Sequence, residues 1–103
     1  SGEDENKQYV FIDVSIKNMR EQAYELNLHK FALVDRNFYS YDFVLHEEQK
    51  GVLGGRIASG RTIRGEIAFY VPIDDEYELI FTDHLRTGQA IWTVKIEGEK
   101  HSE

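Results

Sequence analysis

The sequence predicts an all-β fold, an antiparallel β-sandwich of about seven strands. Hydrophobic residues recur with period two in six or seven short stretches spaced near 10–14 residues, and no stretch carries the 3.6-residue period of an amphipathic helix. Several of these stretches have one apolar and one polar face, as a stack of two sheets demands.

From Tyr9 to Asn18, Val10, Ile12, Val14 and Ile16 fall on one side and Asp13, Ser15 and Lys17 on the other, so the segment reads as a half-buried strand. After the polar connection 18–22, Tyr24, Leu26 and Leu28 alternate with Glu25, Asn27 and His29 and predict a second strand. Phe31 to Val34 is an apolar run stopped by Asp35-Arg36-Asn37, residues whose side chains bond the local backbone and favour turns. Tyr39, Tyr41 and Phe43 then alternate with Ser40 and Asp42 as the returning strand of a hairpin. Residues 44–57 are less periodic and hold Gly51, Gly54 and Gly55, which predicts a long loop with room for one helical turn.

Ile63, Gly65, Ile67, Phe69 and Val71 alternate with Arg64, Glu66, Ala68 and Tyr70, and the strand ends at Pro72, the only proline. Residues 73–76 turn the chain into a strand carrying Tyr77, Leu79 and Phe81. The last strand runs from about Ala90 to Glu97, with Trp92 expected in the core or packed on a sheet. Residues 8–97 are expected to form one domain, with 1–7 an acidic tether and 98–103 a frayed tail.

Nineteen acidic residues against twelve Lys and Arg give a formal charge of −7, which repels nucleic acid at long range. There is no cysteine, so disulfides, thiolate metal sites and thiol nucleophiles are excluded from this chain. No run reaches the roughly 20 apolar residues of a membrane helix, and none has the form of a signal-peptide core.

The stretch GRIASGRT, Gly55 to Thr62, has the outline of a phosphate-binding loop with arginine in place of lysine. Such a loop works only if a helix starts at once behind it, and here a strand follows. Ser59-Gly60 therefore reads as a turn into that strand. His29, His46, His84 and His101 show no spacing that would put two imidazoles on one metal, and read as surface residues.

Asp74, Asp75, Glu76 and Glu78 could offer oxygens to a hard cation, with Asp83 as a further ligand, although the interleaved EF-hand spacing is absent. Tyr39 and Tyr41 lie in an aromatic run that is either hairpin core and rim or a binding surface for peptide or sugar. Arg56, Arg61 and Arg64 form a local basic feature on an acidic chain. No nucleophile elbow or other catalytic constellation is present, so no enzyme and no cofactor are expected.

Four segments, YVFIDVSIKN, FALVDRNFY, SGRTIRGEIAFYVP and YELIFTDHLRTGQAIW, together resemble a family of extracellular domains of Gram-positive surface lipoproteins, the DUF4352 type. The resemblance spans about residues 9–96 and is most specific from Gly60 to Pro72. It implies an immunoglobulin-like sandwich and a secreted or lipid-anchored origin on the outer face of the cytoplasmic membrane, with the lipidated cysteine upstream of this chain. The family usually carries glycine in the turn after Leu33-Val34-Asp35, where this chain has Phe38. The function expected is a non-enzymatic extracytoplasmic binding or spacer domain with a protein or cell-wall partner. The alternative is a surface domain that responds to a cation or small ligand through residues 74–78.

Overall fold

The computed structural model describes residues 5–83 and 89–96; the expected tail 98–103, His84, His101 and the first four residues of the tether lie outside them. In chain order the strands are β1 (Lys7–Lys17), β2 (Tyr24–Leu26), β3 (Phe31–Val34), β4 (Ser40–Tyr41), β5 (Gly55–Ile57), β6 (Thr62–Pro72), β7 (Glu76–Thr82) and β8 (Gln89–Lys95). β1 pairs antiparallel with β6, β2 with β5, and β4, β3, β7 and β8 form one antiparallel sheet in that order.

Alternation along β1 and β6 sends Val10, Ile67, Phe69 and Val71 inward, while β3 and β7 send Phe31, Leu33, Tyr77 and Leu79 to meet them. The core lies between these two layers, and each such side chain contributes roughly 1.5–3 kcal/mol through burial. The all-β sandwich expected from the alternation is therefore the fold observed.

Four local expectations are corrected. The strand expected through His29 stops at Leu26, because Asn27 Oδ1 accepts the His29 N–H at 2.9 Å and caps a 3₁₀ turn over Leu28–Lys30. Residues 44–57 are not wholly loop: β5 pairs with β2, anchored by buried Ile57, and Val44 and Gly51 bridge onto β6. Trp92 is 49% exposed, since β8 is the sheet edge and its core-facing side chain is only partly covered. The tether ends before Lys7, which opens β1, and the Asn6 carbonyl accepts the Ile73 N–H at 2.9 Å.

Gly65 lets the 51–53 segment cross β6 closely: a Cβ there would lie 2.9 Å from Leu53 N and 3.0 Å from the Val52 carbonyl carbon. Buried Leu53 is held by this crossing.

Candidate functional site

β3 and β4 form a hairpin in which Val34 faces Ser40 and Leu33 faces Tyr41, leaving residues 35–39 as its loop. Asp35 is only 8% exposed and organises that loop. Its Oδ1 accepts the N–H groups of Asn37 at 2.9 Å and Tyr39 at 3.0 Å, and its Oδ2 accepts the Tyr41 hydroxyl at 3.1 Å. Its backbone N–H donates to Tyr39 O at 3.0 Å, and its carbonyl accepts Phe38 N–H at 3.1 Å. Burial pushes the Tyr41 hydroxyl above its ordinary pKa, and the bond to the Asp35 carboxylate adds to the effect.

These bonds hold Phe38 at φ +70°, the only non-glycine residue with positive φ among those described. A residue with a Cβ pays about 1–2 kcal/mol for this left-handed conformation. No packing offsets it: Phe38 is 88% exposed and its neighbour Tyr39 66%. Beside Phe38 lies a shallow hollow of about 260 Å3 lined by Arg36, Glu76, Tyr77 and Glu78 together with the loop.

Of the residues expected to bind, Tyr39 is thus displayed, whereas Tyr41 is half-buried and braces Asp35. The three arginines are not drawn together by any bond among the described residues. Arg56 stands on β5 opposite Glu25, and Arg61 follows the Gly60 turn. Arg64 grips Asp13 with Nε–Oδ1 at 3.0 Å and Nη2–Oδ2 at 2.5 Å. That grip holds the Asp13 carboxyl below its ordinary range and raises the Arg64 guanidinium further.

The cation that meets the acidic turn is instead Arg36, whose Nη1 lies 3.4 Å from both Asp74 Oδ1 and Asp75 Oδ1. Asp74 Oδ1 also accepts the Asp75 N–H at 2.7 Å, which holds its carboxyl below the ordinary range with Arg36 assisting. Glu76 and Glu78 point from the outer face of β7. Asp83 lies past the far end of that strand, where it accepts the Tyr24 hydroxyl at 3.3 Å. Among the described residues, no three acidic or histidine side chains gather as metal ligands.

The backbone of GRIASGRT is already committed. Gly60 N–H donates to Asn18 O at 2.8 Å and Arg61 N–H to Ala58 O at 3.1 Å, with Gly60 at φ +76° as its turn requires. Buried Asn18 locks the turn from beneath through Nδ2 bonds to Gln22 O and Ile57 O. His29 is exposed and lies 3.0 Å from Asp42. His46 joins an outer-face group of rings with Tyr9 and Phe11, a cluster that alternation along β1 alone does not signal because it depends on the crossing loop.

The missed residues are Asp35, Arg36 and Phe38. An aspartate opening a five-residue hairpin loop is a turn signal, and the replacement of a turn glycine by Phe38 was the available hint of a constrained backbone.

The chain is 27% identical over 85 residues to the B. subtilis strain 168 protein named uncharacterized lipoprotein YjhA, covering 79% of this chain and 40% of that protein. It therefore spans less than half the length of this relative. The crystal structure of YjhA superposes with a TM-score of 0.64 at 24% identity, over 86% of this chain and 75% of that one. That of B. subtilis YcdA gives 0.74 at 15% identity, over 89% and 30%. These structural likenesses show the fold. The sequence pattern described as "Domain of unknown function (DUF4352)" matches residues 1–91, and the chain belongs to that family.

Proposed function

We propose that this is a non-enzymatic, extracytoplasmic binding module of a surface lipoprotein, and that its contact element is the Asp35-braced loop with Phe38 as anchor. The lipoprotein name of its relative supports the location. The observation that carries the binding role is Phe38 itself, a bulky apolar side chain held at φ +70° and 88% exposed. Strain retained without packing gain in the free protein is characteristic of a surface preorganised for a partner. The partner is a protein surface with an apolar pocket for Phe38 and cationic groups for Glu76 and Glu78, in keeping with the −7 charge of the chain.

The test is co-sedimentation of the domain with a purified B. subtilis cell envelope, comparing wild type with F38A/Y39A. Both side chains are exposed, so the variant should stay folded. Retention should fall by more than about tenfold, as for loss of a hot spot. Equal retention would leave only a spacer role.

The cation-responsive alternative has less support, because Arg36 already occupies the acidic turn.

A further inference from the structure

β1 and β8 each pair along one edge, with β6 and β7 respectively, and among the described residues their other edges carry no backbone pairing. Those edges wall a groove of about 450 Å3, with Ile12 to Ser15 on one side and Trp92 to Lys95 on the other, above Phe31 and Leu79. Because successive residues of a strand point to opposite faces, walls of consecutive residues present main chain as well as side chains to the groove.

The pairing of β1 with β6, and of β3, β7 and β8 in turn, corresponds to strands B–E and C–F–G of an immunoglobulin-like sandwich. In that arrangement strand A lies beside B. The equivalent place here is the outer edge of β1, unpaired among the described residues, which borders the groove.

We propose that this slot is a strand-acceptor site, in which an extended segment of a separate polypeptide partner pairs with the free strand edges. Main-chain bonds would supply affinity and alternate side chains specificity. The apolar floor calls for hydrophobic residues at every second position. Charge selects further: Asp13 is neutralised by Arg64, whereas Lys95 has no ion pair among the described residues, so the segment carries a carboxylate against Lys95. A second copy of this chain would bring another −7 of charge and is the poorer occupant.

The probe is an end-capped heptapeptide, Thr-Val-Glu-Val-Thr-Val-Thr, titrated into the whole domain and followed by amide NMR shifts and Trp92 fluorescence. Expected are a blue shift of Trp92 emission and shifts centred on 12–15 and 92–95. Binding should weaken at least about tenfold when alternate peptide amides are N-methylated, since the added strand depends on its main-chain bonds. Replacing the peptide Glu by Lys should weaken binding to wild type and strengthen it to K95E, a variant at an exposed site. F38A/Y39A should bind the peptide unchanged, which separates this site from the Asp35 loop.

The proposal is overturned if the N-methylated peptide binds equally or if no saturable shift appears. It also fails if the β1-edge amides are already protected from exchange in the free monomer, meaning the chain closes its own slot, or if sedimentation shows a dimer formed through these edges.

Discussion

The Tyr41 hydroxyl donates to Asp35 Oδ2 at 3.1 Å, while the other oxygen of the same carboxylate takes the N–H groups of Asn37 and Tyr39. One buried carboxylate thereby fixes both ends and the middle of the hairpin loop. Asp35→Ala removes the acceptor for three donors, and the fold should lose about 2–3 kcal/mol in urea unfolding. Asp35→Asn keeps an acceptor and should lose less.

The Tyr41 hydroxyl has a folded-state pKa above 10.0, chiefly through burial. A raised folded pKa gives stability that is complete below the unfolded value and is lost as pH rises through the folded one. The domain should therefore weaken above about pH 10, and Tyr41→Phe should flatten this alkaline limb in melting curves measured from pH 8 to 12.

Asp13 and Asp74 are shifted the other way, below 3.8, by Arg64 and by the Asp75 N–H respectively. Their contribution is present above the unfolded carboxylate value and is lost as pH falls below about 4 through the folded values. Asp13 is exposed and its pair with Arg64 is screened, so D13N should change melting little at pH 7 and should reduce the acid sensitivity measured between pH 5 and 2.

Gly65→Ala would drive a Cβ to 2.9 Å from Leu53 N, a backbone atom that has no rotamer with which to yield. The cost should be about 1–3 kcal/mol, accompanied by release of the 51–53 crossing. Thermal melts and the hydrogen exchange of Leu53 would report both.

Calcium at millimolar concentration should leave the melting temperature unchanged, because Arg36 bridges Asp74 and Asp75 and no third ligand joins them among the described residues. A concentration-dependent rise would restore the cation-responsive reading.

The long strands were legible because the alternation from Ile63 to Val71 in β6 and a closing proline leave little choice of register. β5 was not, since Gly55, Arg56 and Ile57 hold one apolar residue and become a strand only through β2 and the burial of Ile57. Alternation placed Trp92 on the inner face but could not say that β8 would stand at the edge of its sheet, where that face is only partly covered. In the site, Tyr39 and the turn at Asp35 were readable from residue type. The role of Asp35 was not, because any turn aspartate looks alike until three donors converge on it. The Arg36 clamp joins residues nearly forty positions apart, and no local pattern encodes that pairing.

The most direct test is Phe38→Gly, measured for unfolding and for envelope binding together. Glycine relieves the left-handed strain and costs some unfolded-state entropy, so the net gain should be about 0.5–1 kcal/mol. Greater stability with loss of envelope binding is the expected result. A more stable domain that binds as well as wild type would contradict the role of Phe38 as anchor.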